Sequence, residues 1–255
     1  MKNYFIAGLV LLGLTATAAT AGSSAADKKQ IDSAVHDYIL QNPDVLVQSL
    51  QSYQQKQMDE TRKSFDKIQA DAPKFADRLF HSAEDPVAGN PNGAVTLVEF
   101  FDYQCPHCID MTPVIDHMIQ ANDNLRVVFK EFPIRGPMSN AATKAALAAQ
   151  KQGKYFEMHK ALMASKTQPL TDSIIDSIAQ SVGLDMKKFK ADMKDPSIDA
   201  EIKSNYALAK DMKVMFTPVL FIARTDGNPN TVTFVPGQVP ENMLADAIKK
   251  AADKH

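Results

Sequence analysis

The two cysteines of this chain constrain its fold more than any other feature. Cys105 and Cys108 are the only cysteines among 255 residues, and two residues separate them. They follow the apolar, β-branched run 94–101, which predicts a buried strand, and Pro106 suits the first turn of a helix. We therefore expect a strand-to-helix junction with Cys108 one turn along the helix from Cys105.

The N-terminus has the pattern of an export signal. Lys2 precedes an apolar run from Phe5 to Leu14, and small residues at 19–21 suit cleavage. A run this short is typical of a signal peptide, although an uncleaved membrane anchor is the alternative. The sequence predicts a signal peptide over residues 1–21 and a mature protein in the periplasm or at the envelope surface.

Export makes the spacing of the cysteines informative. Exported proteins usually form structural disulfides, but a Cys105–Cys108 bond closes a very small loop and removes little entropy from the unfolded chain. Zinc is the alternative, but it needs four ligands, and His117 and the other histidines lack a matching spacing. We expect a redox-active disulfide, with no metal and no other cofactor.

The position of Cys105 at a helix N-terminus predicts its chemistry. The first-turn amides and the helix dipole favour a thiolate, and His107 adds a donor and, when protonated, a positive charge. A stabilised thiolate stabilises the reduced form, which makes the disulfide form an oxidant. The hypothesis is that this centre transfers its disulfide to other proteins.

Residues 22–82 have helical periodicity and no strand pattern. Leu46, Leu50 and Tyr53 continue a thin apolar stripe that residues 31–39 begin. A thin stripe needs a partner, which is either the rest of the same chain or a second copy. The interpretation we favour is a helical dimerisation region that makes the protein a homodimer.

The remaining residues, 83–255, predict an α/β domain. Strands are expected at 94–101, 125–132, 219–223 and 231–235, and the helix between the first two indicates a parallel βαβ unit. Between the second and third strands lies a wholly helical insertion, at residues 138–213. The net charge of −2, without a basic block, argues against nucleic acid as a partner.

The stretch VEFFDYQCPHC, followed by VVFKEFP and FTP, resembles the DsbA family of the thioredoxin superfamily. The resemblance covers residues 94–255, and the N-terminal extension resembles that of its dimeric branch. It implies an α/β thioredoxin fold with an inserted helical subdomain, preceded by a helical dimerisation segment. It also implies a protein thiol:disulfide oxidoreductase, with Cys105 as nucleophile, Cys108 as resolving thiol, and Pro106 and His107 between them.

The resemblance implies four further site residues. Pro218 corresponds to a cis-proline facing the disulfide, so that Thr217 and Pro218 form an edge for an extended substrate; a trans proline opening a strand is the alternative. Glu99 and Lys130 correspond to groups that move the proton of the buried cysteine. The alternatives are a structural acid for Glu99 and a solvated strand end for Lys130.

The sequence leaves more than one function open. The CPHC motif is typical of oxidases recharged by a membrane partner of DsbB type, whereas Thr217 and the extension are typical of dimeric isomerases reduced by a partner of DsbD type. We favour a homodimer with oxidase and isomerase activity that acts on unfolded or misfolded exported proteins. The alternatives are a monomeric oxidase and a non-enzymatic chaperone or surface binding module.

Overall fold

In the computed structural model of the protein, the described residues are 25–166 and 169–253. They divide into an N-terminal unit that ends at Asp59 and a C-terminal unit that begins at Glu60. The predicted signal peptide, residues 1–21, lies outside the described residues.

The N-terminal unit is helical, as the sequence predicts. Helix α1 spans Ala25–Gln41, and helix α2 spans Pro43–Asp71 and continues into the C-terminal unit. Asn42 separates the two helices, and both its main-chain nitrogen and its side-chain Nδ2 donate to the carbonyl of Tyr38. Pro43 opens α2 at a position where a helix needs no N–H donor.

The C-terminal unit combines a five-stranded sheet with helices. Its strands are β1 (Val87–Gly89), β2 (Val95–Phe101), β3 (Leu125–Glu131), β4 (Val219–Arg224) and β5 (Thr233–Pro236). Its further helices are α3 (Ala76–Phe80), α4 (Pro106–Ala121), α5 (Pro137–Gln150), α6 (Tyr155–Met163), α7 (Asp172–Ser181), α8 (Met186–Asp192), α9 (Pro196–Met212) and α10 (Glu241–Asp253). Two short 3-10 turns cover Ala72–Phe75 and Pro229–Thr231.

The strand order is β1-β3-β2-β4-β5. Strands β2 and β3 are parallel and are joined through α4, so the predicted βαβ unit is confirmed. Strands β4 and β5 are antiparallel to the strands they neighbour. The predicted α/β thioredoxin fold is confirmed, and the short edge strand β1 is an addition that the sequence reading did not anticipate.

Alternate residues of the central strand face two separate hydrophobic cores. Leu97 and Phe101 belong to the core that α4, α10 and most of the inserted helices cover. Val98 and Phe100 belong to the other core, together with residues of α2, α3 and α9. Because side chains alternate along a strand, residues of one parity on β2 and β3 share the face that carries α4.

Residues 60–82 lie in the C-terminal unit, whereas the sequence predicts a domain boundary at 82/83. Ile68 and Leu79 are fully buried in the same core as Val98. The side chain of Gln69 also bonds both the carbonyl of Val232 and the amide of Phe234. These residues belong to the C-terminal unit because their apolar side chains complete one of its two cores.

The helical insertion between the second and third predicted strands consists of five helices in the described part of the chain. It begins with α5 at Pro137 and ends with α9 at Met212, close to the predicted limits of 138 and 213. Of the helices that the structure describes, none combines the length and the apolar character that a membrane crossing requires.

Candidate active site

Both cysteines lie at the junction between β2 and α4. Cys105 is the residue before the first turn of α4, and Cys108 lies one turn further, with its amide bonded to the carbonyl of Cys105 at 3.0 Å. Both are free thiols, and both are fully buried. The predicted strand-to-helix junction therefore brings the two sulfurs together at the N-terminus of a 16-residue helix.

The surroundings of Cys105 favour its thiolate. A hydrogen bond from the Cys108 side chain has the largest effect and lowers the pKa of Cys105, while burial opposes it. The Thr217 side chain and the amide of Cys108 lower the pKa further, as does the positive charge of Arg135. The result is a pKa of about 5, well below the ordinary value of 9.0.

The two cysteines are electrostatically different. Burial has the largest effect on Cys108 and raises its pKa far above the ordinary value, and the hydrogen bond to Cys105 raises it further. Glu99, when it is ionised, acts in the same direction. Near neutral pH the site therefore holds one thiolate, at Cys105, and one thiol, at Cys108, which suits an attacking and a resolving group respectively.

The two residues between the cysteines are exposed. Pro106 occupies the first position of α4, as predicted. The Nδ1 atom of His107 lies 2.8 Å from Oε1 of Gln238, beyond the end of β5. The sequence did not predict this contact, because no local pattern indicates which residue after β5 reaches His107.

Thr217 and Pro218 lie opposite Cys105. Their peptide bond is cis, as the resemblance implies. The Sγ atom of Cys105 lies 3.4 Å from the main-chain oxygen of Thr217 and donates to it as a thiol. Thr217 Oγ1 is buried and has no hydrogen-bond partner among the described residues, so its hydroxyl is available to the thiolate.

Glu99 is buried in β2 on the face that carries α4, with 1% of its surface exposed. Its Oε1 atom has no hydrogen-bond partner among the described residues. Burial raises its pKa to about 8, and the negative charges of Cys105 and Glu131 contribute. Glu99 is thus an acid that can carry a proton near neutral pH, beside the buried thiol whose pKa it affects.

Lys130 does not share this environment. It lies on β3 one residue beyond Phe129, so its side chain points to the face opposite Glu99. There its ammonium group forms a buried ion pair with Asp85 and donates to the carbonyl of Arg78 at 2.6 Å. The structure therefore removes Lys130 from the expected proton path, and it is not a solvated strand end either.

Glu131, the residue after Lys130 on β3, lies on the same sheet face as Glu99. Glu131 is fully buried, and its carboxylate accepts three hydroxyl hydrogen bonds. These come from Tyr103 and Tyr155, each at 2.9 Å, and from Thr143 at 2.7 Å. Strand alternation could have identified this acid, because Glu131 has the same parity as Phe129 and Val127, which lie in the α4-side core.

Asp102 holds the loop before the cysteines. Its carboxylate accepts from the amide of Gln104 and the hydroxyl of Ser139 at 2.7 Å each, and from the amide of Arg135 at 2.9 Å. The loop ahead of Cys105 is thereby tied to the start of α5, which also brings the charge of Arg135 to the site. No local sequence pattern indicates this role for Asp102.

Within the part of the chain that the structure describes, no group of three or more histidine, cysteine or acidic side chains is arranged to hold a metal ion. The donor set at the cysteines is two sulfurs and an exposed imidazole directed to Gln238. This geometry supports thiol chemistry.

A thioredoxin-type sheet with a Cys-Pro-His-Cys helix N-terminus and a facing cis-proline places the chain in the thioredoxin class of proteins. Residues 96–249 match the family described as the DSBA-like thioredoxin domain, and the chain belongs to this family. Residues 27–60 match the copper resistance protein ScsC N-terminal domain.

Two solved structures illustrate the similarity. A thioredoxin-like oxidoreductase from Silicibacter pomeroyi is 38% identical, with a TM-score of 0.64, and the match covers 70% of this chain and 98% of that one. ScsC of Proteus mirabilis in a transitional conformation is 26% identical, with a TM-score of 0.61, and the match covers 91% of this chain and 98% of that one. The second match therefore includes most of the N-terminal unit.

Curated relatives match over a smaller part. The Na(+)/H(+) antiporter NhaA 1 of Mycobacterium sp. (strain KMS) is 32% identical over 143 residues, which are 54% of this chain and 23% of the antiporter. The chain thus spans about a quarter of the length of the curated relatives it matches.

Proposed function

We propose that this protein is an exported, periplasmic thiol:disulfide oxidoreductase that exchanges a Cys105–Cys108 disulfide with folding secreted proteins. The observation that carries the proposal is the asymmetry of the two sulfurs. Cys105 has a strongly lowered pKa and lies against Thr217, whereas Cys108 is buried with a raised pKa. Such a pair transfers its disulfide because the reduced form is stabilised by the Cys105 thiolate.

The reaction balances as two exchanges. A substrate thiolate attacks Sγ of Cys105, the Cys105–Cys108 bond breaks, and Cys108 leaves with the electron pair and takes a proton from Glu99. A second substrate thiolate then attacks the substrate sulfur of the mixed disulfide, the bond from that sulfur to Cys105 Sγ breaks, and Cys105 leaves with the electron pair as the thiolate. The substrate gains a disulfide, and the protein is left with two thiols that a membrane partner of DsbB or DsbD type reoxidises or keeps reduced.

The proposal includes a homodimer with both oxidase and isomerase activity. It is supported by the apolar side chains of the N-terminal unit, of which Leu46, Leu50 and Tyr53 lie on one face of α2 and are more than half exposed. Two active sites in one assembly suit the reshuffling of wrong disulfides, which needs repeated attack on one substrate. The match of residues 27–60 to the N-terminal domain of a copper resistance protein supports a distinct role for this unit.

The first test uses ribonuclease in two forms. The purified mature protein is expected to form disulfides in reduced ribonuclease and to reactivate scrambled ribonuclease. Recovery of the reduced form alone would show that the protein is an oxidase and would reject isomerase activity. Recovery of neither would reject the enzymatic proposal in favour of the chaperone or surface binding module.

The second test assigns the cysteines. Cys108→Ser is expected to accumulate mixed disulfides with reduced ribonuclease through Cys105, because the resolving thiol is gone. The matched variant Cys105→Ser leaves only the buried sulfur with the raised pKa and is expected to trap none. Equal trapping by both variants would reject the assigned roles.

The third test addresses the dimer in the full chain. Replacing Leu46, Leu50 and Tyr53 by glutamate puts three charges on the apolar face of α2, and light scattering is expected to show a monomer. The control replaces Gln48, Gln51 and Gln55, on the other face, by glutamate and is expected to leave the mass unchanged. A wild-type mass other than that of two chains would reject the dimer.

A further inference from the structure

Two buried carboxyl groups occupy neighbouring strands beneath the cysteines. Phe101 of β2 is paired with Glu131 of β3, and Glu99 is paired with Phe129, so the two acids are diagonal neighbours on one face. Diagonal pairs of this kind are roughly 8 Å apart. Two such charges repel strongly away from water, so the pair carries one proton more readily than none.

Hydrogen bonding decides which acid holds that proton. Glu131 accepts hydrogen bonds from three buried hydroxyl groups, which stabilise its carboxylate. Glu99 Oε1 accepts none among the described residues. A neutral carboxyl tolerates an apolar site far better than a carboxylate does, so the charge belongs on Glu131 and the proton on Glu99.

The other titratable groups around Glu131 do not change this assignment. Tyr103 and Tyr155 have pKa values raised by burial and by the Glu131 charge, so both stay neutral donors. His159 of α6 stays neutral, because burial lowers its pKa to about 3. Burial raises the pKa of Glu131 to about 8 and the charge of Asp102 adds to this rise, but the three hydroxyl hydrogen bonds lower it, and Glu99 has no such bonds among the described residues. Burial also raises the pKa of Glu201 on α9, and the charge of Glu131 contributes.

We propose that Glu131 is a positioning residue for disulfide exchange: its hydroxyl-bound carboxylate keeps the proton on Glu99, from which the leaving Cys108 sulfur receives it. The inference rests on the proposed exchange between Cys105 and Cys108. Glu131 itself touches neither sulfur. It acts through the charge that it places beside Glu99, on the sheet face opposite the Lys130–Asp85 pair.

The reverse step can be measured directly. The reduced protein is mixed with an aromatic disulfide that releases a coloured thiolate (DTNB). In the first phase the Cys105 thiolate attacks the reagent, forms a mixed disulfide and releases one coloured thiolate. In the second phase Cys108 gives its proton to ionised Glu99, its sulfur attacks Cys105 Sγ, and the second coloured thiolate leaves with the electron pair. The pH midpoint of the second phase therefore reports the ionisation of Glu99.

Glu131→Gln removes the charge and keeps an oxygen that can accept from both tyrosines. Glu99 then ionises more easily, and the midpoint of the second phase is expected to fall by about one pH unit, with the first phase unchanged. Glu157→Gln removes an exposed charge from the same helix as Tyr155 and is expected to leave both phases unchanged. A lost structural contact alone would not move a pH midpoint.

The outcomes distinguish a failure of this inference from a failure of the proposed disulfide exchange. A folded Glu131→Gln protein with the wild-type profile would overturn the inference, and so would a Glu99→Gln protein that keeps the midpoint of the second phase. Thr143→Val removes one donor to Glu131 and is expected to give a smaller shift in the same direction; if Glu131→Gln does not fold, an unshifted Thr143→Val profile overturns it. Release of only one coloured thiolate by the wild-type protein would instead reject the exchange function itself.

Discussion

The Sγ atom of Cys105 lies 3.4 Å from the main-chain oxygen of Thr217, and the hydroxyl of the same threonine is buried without a hydrogen-bond partner among the described residues. A thiol can use the carbonyl, whereas a thiolate needs a donor. The Thr217 hydroxyl meets that need only when Cys105 ionises. The threonine therefore favours the charged form of the sulfur.

Thr217→Val tests this relationship, because it keeps the side-chain shape and removes the hydroxyl. The pKa of Cys105 is expected to rise, since a hydrogen bond to a charged group contributes about 1.5–3 kcal/mol, equivalent to roughly one to two pKa units. The thiolate absorbance of the reduced protein, followed against pH, measures the shift. Thr217→Ser retains the hydroxyl and should stay near wild type; equal values for the valine and serine variants would contradict the role.

Cys105 also makes the stability of the reduced protein depend on pH. Its folded pKa of about 5 lies below the ordinary value of 9.0, so between these values the unfolded chain binds one more proton. This contribution to the free energy of unfolding is complete above pH 9 and is lost as pH falls through 5. The difference between the wild-type protein and Cys105→Ser is expected to grow with pH by at most about 1.4 kcal/mol per unit.

Denaturant unfolding of both proteins under reducing conditions, from pH 4 to pH 9, measures this difference. The Cys105→Ser reference removes the contributions of the other buried acids, which have the opposite sign. A difference that is constant across the range would contradict the lowered pKa of Cys105.

Glu99 is one of those acids. Its folded pKa of about 8 lies above the ordinary value of 4.5, so the native protein binds the extra proton between these values. Stability therefore falls as pH rises from 4.5 to 8. Gln at position 99 stays neutral at every pH. At pH 8 the free energy of unfolding of Glu99→Gln, from denaturant titration, is expected to exceed that of the wild type by a few kcal/mol, whereas at pH 4 the two should differ little. An advantage that does not grow with pH would contradict an ionisable, buried Glu99.

Most of the fold could be predicted from short-range sequence patterns. The apolar run before Cys105, the proline at the helix start and the return of strand residues near 219 are short-range signals, and each corresponds to an element of the structure. The same holds for the helical insertion, in which three helices begin after a residue whose side chain caps them. These features could be predicted because neighbouring residues determine them.

Pairings across the sheet could not be predicted in the same way. The resemblance assigned Lys130 to the proton path, but the partner of a strand residue depends on register and face, which only the assembled sheet fixes. The partners of Glu131 lie 12 to 28 residues away, and those of Asp102 lie up to 37 residues away. Gln238 contacts a residue 131 positions away. The packing of residues 60–82 in the C-terminal unit could not be predicted for the same reason, because the burial of Ile68 and Leu79 depends on strands much later in the chain.

The ion pair between Lys130 and Asp85 is expected to contribute to stability and not to catalysis. Both side chains are at most 2% exposed, so removing one partner leaves an unpaired buried charge. Lys130→Met is expected to lower the free energy of unfolding by about 3–5 kcal/mol, and the double variant Lys130→Met with Asp85→Leu to recover much of that loss. Lys144→Met, which breaks the partly exposed pair with Asp199, is expected to cost less than about 1 kcal/mol.

Both phases of the DTNB reaction should keep their wild-type pH midpoints in folded Lys130→Met, since the side chain lies on the sheet face away from Glu99. A shifted midpoint of the second phase would return Lys130 to the proton path.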